Sequence, residues 1–129
     1  MNPRISKKER GLLKGAIRRV FSRSEVRRAV VEASRIVYTD PARPRVTKLS
    51  MCSTCKQPVP TYLLQVDHVE PIVKVTETLE DLSWDELVNR IWCGEENLEP
   101  VCKPCHTIKS KAENALRRKH KKEMSSGKK

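Results

Sequence analysis

The sequence predicts a small α+β protein: a basic helical arm joined to a stapled domain of short strands and helices. Three observations predict it. Helical periodicity with capping signals fills the first forty residues. Short strand-like runs, one capped helix and a final basic helix follow. Two Cys-x-x-Cys knuckles, Cys52-Ser53-Thr54-Cys55 and Cys102-Lys103-Pro104-Cys105, bracket the strand region. The chain has 129 residues, 37% of them hydrophobic and only 4% aromatic. That is enough for one domain but too little apolar material for a large core, so a staple is expected.

Taken in order, Ser6 with Glu9 reads as a capping box, and Leu13, Ala16, Ile17, Val20 and Phe21 then fall at helical spacing. A second box, Ser22 with Glu25, is expected to open a helix striped by Val26, Ala29, Val30, Ala33 and Val37. Asp40-Pro41-Ala42-Arg43-Pro44 breaks the helical pattern and reads as a linker. After the first knuckle, residues 62–66 read as a strand ending at Asp67-His68. Ser83 and Glu86 cap a short helix with the stripe Trp84, Leu87, Val88 and Ile91, and a brief strand around residues 97–101 leads into the second knuckle. The last helix is expected from about Pro104, a residue welcome in a first turn, to about Lys121, with a frayed end. The expected division is a helical arm over residues 1–48, the main domain over 49–122 and a disordered basic tail over 123–129.

In a reducing compartment, paired knuckles read as a structural zinc site rather than as disulfides. Each turn offers two thiolates, and Cys52, Cys55, Cys102 and Cys105 complete the tetrahedron that structural Zn²⁺ prefers. The competing account is a redox pair. The fifth cysteine, Cys93, reads as a small buried hydrophobe. No apolar run approaches the ~18 residues needed to cross a bilayer, and no apolar stretch follows the basic N-terminus. A membrane partner and a secretory signal are therefore not expected, and the expected location is the cytoplasm, or the host cytoplasm for a phage-encoded protein.

The net charge of +11 is unevenly spread. Residues 1–50 hold 14 basic and 4 acidic side chains, residues 51–100 hold 3 and 10, and residues 101–129 hold 10 and 2. Two basic arms around an acidic middle suit a polyanionic partner, with phosphate backbones the commonest. Arg18, Arg19, Arg23, Arg27 and Arg28 cluster at the junction of the first two helices and are the candidate DNA contacts of the arm, touching phosphate rather than reading bases. The plain alternative is a solubilising charge excess.

The acidic middle also holds residues able to do chemistry. Phosphodiester hydrolysis needs a base for water and positive charge on the phosphate and the leaving oxygen. Histidine is the side chain whose ordinary pKa lies closest to neutrality, so His68 is a candidate to accept a proton at pH 7. If Asp67 and His68 both lie in the strand, they point to opposite faces. His106 follows Cys105 into the first turn of a helix and inherits the rigidity of the knuckle. Asp67 and His106 on one cation would make a mixed O/N site with positions open for phosphate and water, suiting a borderline or hard divalent ion such as Mg²⁺, Mn²⁺, Ni²⁺ or Zn²⁺.

The ordered set Cys52-x-x-Cys55, Val66-Asp67-His68-Val69-Glu70-Pro71, and Asn97-Leu98-Glu99-Pro100-Val101-Cys102-Lys103-Pro104-Cys105-His106 with Lys109 one turn on resembles the HNH endonuclease family, the ββα-metal (His-Me finger) nucleases, over about residues 51–115. The resemblance implies a zinc-stapled ββα-metal domain that hydrolyses DNA and leaves 5′-phosphate and 3′-hydroxyl ends. It implies His68 as general base, Asp67 and His106 as ligands of one catalytic divalent ion, and Asn97 as the residue ordering the loop that carries the base, through an amide that both donates and accepts. Lys109 would face the same side and touch a phosphate. One departure is the long stretch from His68 to Asn97, whose acidic residues Glu77, Glu80, Asp81, Asp85 and Glu86 are expected to lie away from DNA while the Trp84 stripe closes over the core. Compact proteins of this kind are frequent in bacteriophages and bacteria, where homing, packaging, restriction and recombination use the same site, so a packaging or replication partner is compatible. The rival readings are a non-catalytic zinc-containing nucleic-acid-binding module and an assembly protein that docks through its basic arms. RNA as substrate is disfavoured by the resemblance, and the few aromatics offer little for stacking unpaired bases.

Overall fold

In the computed structural model, which describes residues 4–36 and 48–126, Ser6 opens helix α1 (Lys7–Phe21). Its hydroxyl accepts from the Glu9 amide, and the Glu9 carboxylate accepts in return from the Ser6 amide. The expected second box does not form. Helix α2 (Glu25–Ala33) is capped by Ser24, whose hydroxyl accepts from the Arg27 amide. Ser22 instead closes α1, in a helical conformation that turns its hydroxyl back onto the Arg19 carbonyl. A serine in that conformation cannot serve as an N-cap, which needs an extended backbone. Helix α2 also stops short of Val37. Ser34 ends it, and Arg35 and Ile36 leave as strand β1 (Arg35–Ile36). Val37 and the Asp40–Pro44 linker lie outside the described residues.

Strand β2 (Leu49–Met51) lies between β1 and β3 (Pro58–Pro60) in an antiparallel sheet, with Ile36 opposite Leu49 and Ser50 opposite Val59. Proline supplies no ladder donor, and both prolines of β3 sit on an outer strand where none is needed on the open side. Buried Ser50 is satisfied by the Thr61 hydroxyl at 2.8 Å.

The strand expected over residues 62–66 starts later. Thr61–Leu63 forms a 3₁₀ turn with Tyr62 and Leu63 exposed, and strand β4 (Gln65–His68) follows buried Leu64. It pairs antiparallel with β5 (Leu98–Val101), Asp67 opposite Glu99 and His68 opposite Leu98. The chain then enters α4 (Lys103–Ser126). Two antiparallel strands and a helix thus succeed one another, with α3 (Trp84–Ile91) inserted between the strands. Residues 123–126, expected in a disordered tail, continue α4, because Ala, Glu, Leu, Lys and Arg dominate this segment and no helix breaker interrupts it. Residues 127–129 lie outside the described part.

Ser83 caps α3, accepting from the Glu86 amide, and most of the apolar stripe turns inward: Leu87 and Ile91 are fully buried and Trp84 packs beside them, while Val88 is exposed. The main core joins Phe21 of α1 and Val30 of α2 to Ile72, Val73, Leu82, Leu87, Ile91 and Leu98. The N-terminal helices therefore share one core with α3 and β5. A second, smaller core contains Cys52, Val101 and Cys102, with Val59 and Cys105 packed against it. Its apolar burial is slight, so packing alone gives little hold there.

Candidate functional site

The four knuckle cysteines converge. One sulfur from each of Cys52, Cys55, Cys102 and Cys105 lies within 4.8 Å of all the others. Sulfurs about 2.3 Å from a tetrahedral ion stand about 3.8 Å apart, and Cys55 Sγ and Cys102 Sγ are 3.8 Å apart. The cluster is compatible with a structural metal such as zinc. Among the described residues, no other set of three or more His, Cys, Asp or Glu side chains converges this way.

Backbone geometry prepares the sulfurs. The amide of Cys102 donates to Cys52 Sγ at 3.3 Å, tying one knuckle to the other, and the Ser53 amide donates to the Pro100 carbonyl at 2.8 Å. Lys56, with φ of 60°, turns the chain out of the first knuckle. Burial pushes the Cys52 thiol up, but the amides of Cys55, Cys102 and Thr54 outweigh it and bring its pKa down to about 6. Cys105 is pushed up to about 12, first by its hydrogen bond with Cys102, then by burial and by Cys55 and Cys52. One thiolate forms readily, and its charge then resists ionisation of the neighbour. A cation among the sulfurs removes that conflict.

Asp67, His68 and His106 line one cleft of about 220 Å³ between β4, α1 and α4. Adjacent positions on β4 point oppositely, as expected. Asp67 turns towards α4, where its Oδ1 lies 4.0 Å from His106 Nε2 and its Oδ2 lies 2.8 Å from Lys109 Nζ. His68 turns inward: its ring lies 5.5 Å from that of Phe21, and its Nε2 is 2.8 Å from the Ile91 carbonyl. A carbonyl only accepts, so Nε2 must carry the proton. In the neutral ring Nδ1 then keeps its lone pair.

Asn97 sits where β5 begins and ties the loop after His68 to it. Its Oδ1 accepts from the Glu70 amide at 3.0 Å, and its own carbonyl accepts from the Val69 amide at 2.8 Å.

Lys109 faces the same side as His106, but its ammonium is taken up within the protein. It touches Asp67, the Glu99 carboxylate at 3.3 Å and Glu113 at 3.8 Å, and donates to the carbonyls of His68 and Val69. Burial alone would lower its pKa; Asp67 and Glu99 hold it above its ordinary value. Its contacts in this structure are to carboxylates and carbonyls.

Of the arginines at the helix junction, Arg18, Arg19 and Arg27 line an adjoining cleft of about 410 Å³ together with His68. Exposed Arg23 and Arg28 line neither of these two clefts. The acidic insertion is spent on itself: Glu77 pairs with Arg90, and Asp81 caps the turn at Thr78. Cys93 packs against the main core, and burial raises its pKa.

Comparison with models of known protein families, with characterised proteins and with solved structures returns no match. The functional reading rests on this chain's own residues.

Three features at the cleft were absent from the sequence reading. The Ile91 carbonyl holds His68, the Phe21 ring packs on it, and Lys14 and Arg117 enter the cleft wall. Phe21 and Ile91 stood in apolar stripes, which signalled core and nothing more. No linear spacing joins positions 14 and 117.

Proposed function

We propose that the protein is a metal-dependent endonuclease of the HNH type that hydrolyses DNA phosphodiester bonds, stapled by zinc on Cys52, Cys55, Cys102 and Cys105 and active in a reducing cytoplasm. The observation that best supports this reading is the meeting of Asp67, His68 and His106 in one cleft, with His68 Nε2 committed to the Ile91 carbonyl. That commitment leaves Nδ1 as the proton acceptor. His68 takes a proton from water through Nδ1, and the carbonyl on Nε2 steadies the imidazolium that results. Asn97 keeps the loop after His68 fixed to β5.

Asp67 Oδ1 and His106 Nε2, 4.0 Å apart, are the atoms that would hold one divalent cation. Ligands about 2.1 Å from an ion stand about 3.0 Å apart when adjacent in an octahedron, so the two side chains would draw together by about 1 Å to hold it side by side. Asp67 divides its oxygens, Oδ2 to Lys109 and Oδ1 towards His106. A cation held there would supply positive charge to the departing 3′ oxygen.

The contact between Lys109 and Asp67 favours a second reading. An ammonium already neutralises the carboxylate, as a non-catalytic zinc-containing nucleic-acid-binding module would need. Incubating supercoiled plasmid with the protein and Mg²⁺, Mn²⁺, Ni²⁺ or Zn²⁺ at low salt separates the two. The nuclease reading expects nicked or linear product with at least one ion and none with the ions left out. Retarded but intact plasmid with every ion gives the answer to the binding module.

A further inference from the structure

The cleft that holds Asp67, His68 and His106 has an unbalanced charge. Its two carboxylates, Asp67 and Glu113, both face Lys109, at 2.8 and 3.8 Å. Lys14 and Arg18 from α1 and Arg117 from α4 stand in the same wall. Among the described residues, none of these three makes an ion pair.

Several observations say that this cationic group is built for an anion rather than left over. Lys14 and Arg18 are four residues apart on one helix face, a like-charge spacing that weakens a helix. Burial, then Arg18 and Arg117, push the Lys14 ammonium below its ordinary pKa. Arg117 is anchored, one guanidinium nitrogen donating to the Val73 carbonyl at 2.6 Å. Its Nε is buried with no hydrogen-bond partner. Three crowded cations cost stability unless an anion joins them.

We propose that Lys14, Arg18 and Arg117 form a phosphate-binding subsite that receives a backbone phosphodiester of duplex DNA beside His68. The proposal rests on the nuclease reading for its choice of DNA, and it gives that site a grip on the substrate drawn from two helices far apart in sequence. Arginine suits the role through its fixed fork of donors, and lysine as a point charge.

The test measures binding of a short DNA duplex to the full chain, without added divalent ion, across a series of salt concentrations. Each lost phosphate contact lowers the slope of log affinity against log salt by about 1. Lys14→Gln is expected to lower it by about 1, and Lys14→Gln with Arg117→Met by about 2. Because Lys14→Gln also relieves repulsion, its thermal midpoint should hold or rise while binding falls, a pair of signs that a merely structural lysine would not produce. Zinc content checks that each variant is intact. Wild-type slope and affinity in both variants would overturn the proposal, as would a wild-type protein that binds no duplex. Lowered slopes with no cleavage by the wild type under any ion would leave the subsite standing and remove the nuclease reading. Unchanged slopes with active wild type would do the reverse.

Discussion

The proposed nuclease reading makes two demands on the ring of His68: a general base must have a nitrogen left to accept a proton, yet it must be held still. The Ile91 carbonyl and the Phe21 ring serve the second, and because that carbonyl engages Nε2, Nδ1 is the nitrogen left for the first. Asn97 acts on the same residue through the backbone, because its Oδ1 receives the Glu70 amide two positions beyond His68. Replacing it by alanine removes that acceptor, which is expected to lower stability by about 1 kcal/mol in urea denaturation and to lower cleavage more than binding. Asn97→Asp keeps an oxygen in place and should retain most of both. At this scale the sequence was informative where chemistry and spacing coincide: Asp67, His68, Asn97 and His106 stand in two short motifs. Lys109 was placed on the side of His106, but its partners were not. Asp67 and Glu99 meet it only once β4 and β5 pack beside α4, while Glu113, four residues on along the same helix, is a local pair that the reading passed over. A carbonyl such as that of Ile91 has no signature in the side-chain alphabet at all.

Helix α3 shows how an inserted element joins the site it interrupts. The acidic residues of the insertion that carries it were expected to lie away from DNA, and Glu77, in the loop before α3, pairs with Arg90 of the helix. Its buried stripe also brings the Ile91 carbonyl to His68. The two ends of α3 should therefore respond differently to mutation. Ser83→Ala removes the cap at the end far from Ile91 and should cost about 1 kcal/mol with cleavage nearly unchanged. Leu87→Ala opens a cavity one turn from Ile91 and should cost about 2–5 kcal/mol, with cleavage falling as the carbonyl loses its place. Chemical denaturation beside a cleavage assay reads both. The caps of α1 and α3 could be read from sequence because each is local: a reciprocal pair of bonds between Ser6 and Glu9, and a single bond from the Glu86 amide to Ser83. The cap of α2 could not, since two serines compete and the end of α1 decides between them: Ser22 is held in the helical conformation that closes α1, which leaves Ser24 to cap α2. Helix α4 outran its expected end because a helix without a stop signal continues for as long as its propensity allows.

The whole molecule has a core at one end and a sulfur cluster at the other. Phe21, Val30 and the α3 stripe close the first, while little more than Val59 and Val101 joins the four cysteines at the second. Removing metal with a chelator, or replacing Cys102 by serine, is expected to abolish bound zinc and to lower the thermal midpoint sharply, because metal affinity here is folding free energy. An unchanged midpoint after complete metal removal would show that the knuckles are not a staple. Charge is also arranged at this scale: α1 and α4, the most basic elements, flank β4 and bring their cations to the cleft that the acidic middle of the chain provides. The segment-by-segment charge pattern marked two basic arms but not their meeting; Arg18 stood out in the sequence, and only the folded chain adds Lys14 and Arg117 to it. The central claim is that His68 is the base of a nuclease, and the His68→Ala protein tests it most directly. With DNA binding and zinc content measured alongside plasmid cleavage, the account predicts cleavage reduced by about 10²–10⁴-fold while binding and zinc stay at wild-type levels. Cleavage undiminished in that protein would contradict it.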